Sequence, residues 1–325
     1  MIIKDKVYGE QKIEDPLIIE LINSPGMQRL KGVGQYSTWR LMNPKLNTTR
    51  FEHSFGVYCL LKKFNASFDE QIAGLLHDLN HTAFSHVIDY VLGDPETQDY
   101  GDLKHKEILM NSTIPSILEK RNIDPHKISD HHSFGLLERD LPDLCCDRID
   151  YCLRDSICYG LINQKKANQI LNGLIVHNGE IICKDKNSAA EISKIFLHMA
   201  KVLWSNEIQS GSFLLLAKAI KIALKNGILN EQNLYTTDDN LYSVLANSNN
   251  KEILKLIKPI DKERIIEGTK EDHDFHTKAK VRYIDPKFLE NGKLIRLSEV
   301  DEDYKKSCQE YAERIKKGFY IKIKK

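Results

Sequence analysis

The chain has 325 residues, 41% hydrophobic and 29% charged, with 47 Lys and Arg against 46 Asp and Glu and a formal net charge of +1. That is a globular composition with enough apolar residues for a large core, and it excludes a general electrostatic pull toward nucleic acid or a membrane. Seven cysteines at 59, 145, 146, 152, 158, 183 and 308 form no CxxC pair and are odd in number, which argues against a disulfide framework or a thiolate zinc site and fits a reducing, cytoplasmic setting.

Residues 1–14 carry charges where a secretory leader needs an apolar stretch. They alternate around Tyr8-Gly9, which predicts a short hairpin. In "DPLIIELINSPGMQRLKGV" the apolar spacing predicts a helix from Pro16, and "STWRLMNPKLNTTR" reads as a loop. From 51 to about 92 the pattern is helical, and 93–106 is polar and loop-like. Helical patterns return over 107–121, 133–155, 165–175 and 188–227, interrupted by a hairpin, "LIVHNGEIICKD", around Asn178-Gly179. "YTTDDNLYSVLANSNNKE" holds a loop and a short helix. "KAKVRYIDPKFLENGKLIRLSEV" reads as two strands around Asn291-Gly292, before a charged helix and a last strand, "GFYIKIKK". No run approaches the ~18 apolar residues of a membrane span. The expectation is a mainly α fold with small β hairpins at the N-terminus, in the middle and at the C-terminus. Residues 1–230 are expected to form one helical domain, and 231–325 an α+β appendage packed on it.

The stretch "AGLLHDLNHTAFSHVID", residues 73–89, crowds His77, Asp78, His81, His86 and Asp89 among apolar residues. A lone His-Asp pair is most often a surface feature of a helix. Here Ile72, Leu75, Leu76 and Leu79 mark the helix as buried, and a metal ion satisfies a buried imidazole and carboxylate together. Upstream, "TTRFEHSFGVYCL" places His53 at the start of another apolar helix, three residues after Arg50. Downstream, "DLPDLCCDRIDYCLRD" places Asp147 in a helix with Leu141, Leu144, Ile149 and Leu153. Two imidazoles and two carboxylates suit a divalent ion such as Mn, Fe, Mg, Ni or Zn and leave positions open for water and substrate oxygens. Asp147, Tyr151 and Arg154 share a face at i, i+4 and i+7, with Arg148 about 100° away. Guanidinium forks suit phosphate, although an ion pair with Asp150 or Asp155 accounts equally well for Arg154. His126, His131 and His132 lie in a polar stretch and read as surface, and His177 and His198 as bland.

"RFEHSFGV", "AGLLHDLNHTAFSHVID" and "DRIDYCLRD" resemble the signatures of the HD superfamily of metal-dependent phosphohydrolases. Within it they look most like the deoxynucleoside triphosphate triphosphohydrolases, of both the bacterial dGTPase type and the animal type with a sterile-alpha-motif domain. The resemblance runs from residue 7 to about 160, thins over 160–275 and returns in the closing segment. It implies an HD-domain helical bundle with His53, His77, Asp78 and Asp147 as metal ligands. It places His81 and His86 beside the reacting phosphate, and Asp89, a carboxylate hydrogen-bonded to His86, would fix its tautomer and raise its pKa. His105 in "LKHKEI" would protonate the leaving oxygen. Gln35 would meet the sugar hydroxyl, and Arg50, Arg148, Tyr151 and Arg154 the substrate phosphates. The implied substrate is a nucleotide, foremost a deoxynucleoside triphosphate cleaved to deoxynucleoside and triphosphate. The implied assembly is a homo-oligomer, a dimer or larger, with one bound ion or two. Three departures bear on specificity. Asn80 replaces a family glycine, "LWSNEIQSGSF" replaces a tyrosine-and-histidine segment, and Asn23 and Lys31 stand where nucleotide-activated relatives carry Asp and Arg. The alternatives are a nucleoside monophosphate or general phosphomonoester hydrolase, and a nucleotide- or nucleic-acid-binding protein with little turnover. The complete ligand set with His86 and Asp89 favours turnover.

Overall fold

The computed structural model describes residues 1–324 and opens with the expected hairpin, Ile2–Asp5 paired with Gly9–Lys12. Asp5 closes its turn by accepting from the Val7 and Tyr8 N–H groups at 2.7 and 2.9 Å, and Gly9 takes a left-handed φ of +73°. The helix expected from Pro16 forms but is divided. Asp15 caps Pro16–Ile22, and Pro25, lacking an N–H, starts a second helix, Pro25–Arg29. The loop that follows contains one helical turn, Trp39–Met42.

Arg50–Lys63 is the central helix, started by a capping box between Thr49 and Glu52 and buried along most of its length. It packs against Phe68–Leu76 and Cys146–Tyr159. Gly56 permits the second contact, because a Cβ there would lie about 2.0 Å from the Arg154 side chain and 2.2 Å from Asp150. The helical stretch expected over 51–92 is interrupted. Phe68–Leu76 ends, residues 77–86 form successive turns, and Val87–Val91 resumes the helix.

Further segments correct the sequence reading. Residues 93–106 are not all loop, since Tyr100–Met110 is a helix that carries His105. The helix expected over 133–155 begins only at Cys146, because Pro142 in a polar "DLPD" turn cannot sit in a helix interior. The 188–227 stretch is two helices, Lys186–Met199 and Glu207–Lys225, joined by a wide turn, Ala200–Trp204.

The middle hairpin and the Asn291-Gly292 hairpin share one four-stranded sheet, joined by a parallel contact of Cys183 with Phe288. That sheet links strands from both sides of the expected boundary at 230. Phe319–Ile323 lies at the centre of a second sheet, between Ile265–Glu267 and Phe275–Thr277. These two strands have 3 residues each, too short to leave a periodic signal. The fold is mainly α with small β elements. Among the described residues no helix is long and apolar enough to cross a membrane.

Candidate metal centre

His53 sits one turn into the Arg50–Lys63 helix and is 1% exposed. Its Nδ1 lies 2.7 Å from Asp150 Oδ2 and its Nε2 2.8 Å from Asp147 Oδ1. His77, expected inside a helix with Asp78, instead caps the end of Phe68–Leu76. Its Nδ1 lies 2.8 Å from the Gly74 carbonyl, and its Nε2 is 3.3 Å from His53 Nε2, 3.4 Å from Asp147 Oδ1 and 3.5 Å from Asp78 Oδ1. Asp78 Oδ2 is 3.9 Å from His53 Nε2. A carbonyl and a carboxylate can only accept, so each Nδ1 carries a proton, and with the rings neutral each Nε2 would turn a bare lone pair toward the other and toward Asp147. Two lone pairs and two carboxylates facing one point repel unless positive charge lies between them.

Without a metal, protons supply that charge. Burial alone lowers the pKa of His53, but its bonds to Asp147 and Asp150 outweigh burial and push it up to about 10. His77 is raised in the same way, by Asp78 and Asp147 against burial. Burial favours the neutral acids, yet Arg50 and the histidines hold Asp78, and His53 and His77 hold Asp147, well below the usual carboxylate range. Ligand atoms of His53, His77 and Asp147 lie within 4.8 Å of one another, and the nitrogen and oxygen donor set fits a divalent transition-metal ion. Asp150 and Gly74 orient the two imidazoles from behind.

His77, Asp78 and Asp147 line a cavity of about 350 Å³, and His53 is not on its wall. Arg50 reaches it from the start of the central helix, with Nη1 3.0 Å from Asp78 Oδ2 and Nε donating to Ser85 Oγ at 3.0 Å. His81 Nε2 is 3.0 Å from Asp78 Oδ1. His86 lines the cavity with its Nδ1 3.2 Å from Asp89 Oδ2, while the other oxygen of Asp89 accepts from the Tyr100 N–H at 3.2 Å. A carboxylate bonded to His86 is expected from the sequence to raise its pKa. In the ligand-free protein burial, Arg50, His81, Arg282 and Lys280 together push it well down instead. Burial raises Asp89 to about 6, against the Tyr100 N–H.

His105 is buried but is not part of the cavity wall. Its Nδ1 meets Asn80 Oδ1 at 3.2 Å, and burial lowers its pKa to about 4, a poor setting for a proton donor. Its ring packs edge-on against His131 at 4.6 Å. His131, which reads as surface in the sequence, is buried and lines the cavity together with exposed His132. Ligand atoms of Asp102, His131 and His132 also lie within 4.8 Å of one another, a second group able to hold an ion. His126 is exposed.

Arg148 lines the cavity, but its guanidinium donates to the Asp143 and Arg139 carbonyls and lies 3.3 Å from Glu138. Arg154 lies off the wall. It is 1% exposed and binds Asp150 at 2.9 and 3.0 Å and Asp5 at 2.8 Å, so it acts on His53 through Asp150. Gln35 and Tyr151 do line the cavity, and Gln35 Oε1 is buried without a hydrogen-bond partner among the described residues. Asn80 has an ordinary negative φ. Asn23 and Lys31 lie away from the cavity, bonded to Ile19 and Gln28.

Trp204 and Gln209 on the wall belong to "LWSNEIQSGSF", the segment the sequence marks as a departure bearing on specificity, whereas sequence reasoning missed Gln98, Asp155, Lys280 and Arg282. Asp155 follows Tyr151 by one turn, so its face was readable. Trp204 donates to it at 2.7 Å, and burial raises its pKa to about 7. The others come from distant segments whose spacing carries no signal.

The profile of the family described as "HD domain" matches residues 50–155. YdhJ of Bacillus subtilis (strain 168), an uncharacterized protein, is 38% identical over 100% of both chains. Metal-dependent phosphohydrolase cns2 of Cordyceps militaris is 29% identical over 90% of this chain and 86% of its own. Human deoxynucleoside triphosphate triphosphohydrolase SAMHD1 is 32% identical over 39% of this chain and 24% of its own. A crystal structure of a phosphohydrolase from Bacteroides thetaiotaomicron superposes over 100% of both chains with a TM-score of 0.68 at 17% identity, a likeness of fold.

Proposed function

We infer that this chain, which belongs to the HD superfamily of metal-dependent phosphohydrolases, hydrolyses nucleotides at the His53, His77, Asp78 and Asp147 cluster, with deoxynucleoside triphosphates as substrate and triphosphate as product. The observation that carries the reading is the convergence of two imidazole Nε2 atoms and two carboxylates on one point beside Arg50 and a cavity. Its cavity of about 350 Å³ falls within the ~300–1,000 Å³ of small-molecule sites. The unpartnered Gln35 oxygen offers an acceptor for a sugar hydroxyl. The choice of triphosphate is supported by the partial likeness to SAMHD1.

A bound cation would supply acidity for water and polarise a phosphoryl oxygen. Arg50, already fixed by Asp78 and Ser85, offers its remaining N–H groups to the phosphoryl oxygens and offsets their developing charge. His86 is neutral, its Nδ1–H directed to Asp89, so its Nε2 accepts a proton or a hydrogen bond in the cavity. An arriving phosphate opposes the positive charges that depress His86 and raises its pKa toward a donor's range.

A panel of nucleotides with Mn²⁺ or Mg²⁺ and an EDTA control tests the reading, with products separated by ion chromatography. The expected result is triphosphate and deoxynucleoside, lost on chelation. A second reading, a nucleoside monophosphate or general phosphomonoester hydrolase, is favoured by the internal pairing of Arg148 and Arg154, which removes two expected phosphate ligands. Orthophosphate as sole product would establish it, and no product from any nucleotide contradicts both. A cytoplasmic oligomer belongs to the same proposal.

A further inference from the structure

We propose that Lys280 and Arg282 hold the phosphate groups of the substrate that do not react, so that this site selects polyphosphate-bearing ligands over monophosphates. The proposal rests on the phosphohydrolase reading. Both residues belong to 278–286, a segment without regular structure that runs from one small sheet to the other and lines the cavity.

The segment is fixed along its length. The Tyr90 hydroxyl donates to the Lys278 carbonyl at 3.1 Å, Ser205 to the Lys280 carbonyl at 3.2 Å, and Tyr304 to the Ile284 carbonyl. The Asp285 N–H donates to the Pro142 carbonyl at 2.9 Å. A backbone held this way presents its side chains in position and leaves little ordering for a ligand to impose.

The charges on it are unevenly used. Lys278 lies 3.1 Å from Glu96. Arg282 donates to Gln98 at 2.7 Å through Nη2 and has no carboxylate within 4.0 Å among the described residues. Lys280 is half-buried on the cavity wall, and among the described residues its ammonium has neither a hydrogen bond nor a carboxylate within 4.0 Å. Burial and the neighbouring Arg282 lower its pKa, although Asp102, Glu138 and Asp89 act in the other direction. Two cations of like charge are thus held near each other on a cavity wall, an arrangement that a bound anion relieves.

Neither cation touches a carboxylate of the metal cluster, whereas Arg50 binds Asp78 directly. Unlike Arg50, which is committed to Asp78, Lys280 and Arg282 are free to take an oxyanion other than the phosphoryl group beside Asp78 and Asp147. A chain of linked phosphates supplies both anions in one molecule, and a monophosphate does not.

Calorimetric titration of the metal-loaded protein with inorganic tripolyphosphate, and separately with orthophosphate, tests this without turnover. Wild type should bind tripolyphosphate at least tenfold more tightly. Lys280→Met and Arg282→Gln should each weaken tripolyphosphate binding at least fivefold, and orthophosphate less than threefold, with melting temperature showing the fold retained. Tripolyphosphate binding that survives both substitutions, or equal losses for the two anions, overturns the proposal. Because the titration reads binding alone, selective tripolyphosphate loss in a protein that hydrolyses no nucleotide supports the clamp while the catalytic reading fails. A nucleotide hydrolase whose tripolyphosphate affinity ignores both residues keeps the catalytic reading and overturns the clamp.

Discussion

Asp150 decides which nitrogen of His53 faces the metal cluster, because its carboxylate can only accept and therefore keeps the ring proton on Nδ1. Asp89 stands in the same relation to His86, but its own charge is less secure, since burial lifts its pKa to about 6. A raised carboxylate pKa means that the charged form is complete only above that pH. Orientation of His86 by a charged acceptor is therefore lost as pH falls through about 6. We expect kcat/KM to show an acid limb near that value, and Asp89→Asn to remove the limb and lower the plateau at least tenfold with metal still bound. A limb that persists unchanged in Asp89→Asn assigns it to another group. That His53, His77, Asp78 and Asp147 lie close together was legible in the sequence because each lies in an apolar run where an unpartnered polar side chain is costly. The same reasoning misplaced His131, whose sequence neighbours are polar but whose ring is covered by His105 from another helix. It left Arg154 between two roles, and the structure shows the ion pair with Asp150.

The turn over residues 82–86 carries His86 into the cavity through two residues of left-handed φ, Phe84 at +58° and Ser85 at +46°. Bulky side chains rarely adopt that conformation, at a cost on the order of 1–3 kcal/mol, so the surroundings must enforce it. Asp238 does so from the start of the Asp238–Ala246 helix, accepting from the Phe84 N–H at 2.7 Å and the Gly34 N–H at 2.9 Å, with Arg40 at 3.1 Å as counter-charge. Charge-assisted bonds of this kind contribute about 1.5–3 kcal/mol each. Asp238→Ala should lower the melting temperature by several degrees. At temperatures where the variant stays folded, it should reduce kcat at least tenfold without releasing metal. Full kcat in a destabilised variant means that the turn keeps its shape unaided. The Asn-Gly hairpins were readable, because their signals lie within a few residues. The turn over residues 82–86 was not, because the contacts that hold Ala83 and Phe84 come from Leu234 and Asp238, more than 150 positions away.

Across the whole molecule, the cavity takes residues from well-separated parts of the chain, from Gln35 to Arg282, beside the proposed metal ligands His53, His77, Asp78 and Asp147. The mainly α class was legible because long helices repeat their pattern over many turns. The contribution of 231–325 to the cavity was not, because nothing in a loop's composition shows which wall it covers. All roles assigned to the surrounding residues depend on the cluster holding a cation. Metal content of the purified chain tests that most directly, measured by mass spectrometry in wild type, Asp147→Ala and His86→Ala. The account predicts a tightly bound divalent ion in wild type and in His86→Ala, and its loss in Asp147→Ala. A folded Asp147→Ala protein that carries as much metal as wild type would contradict it.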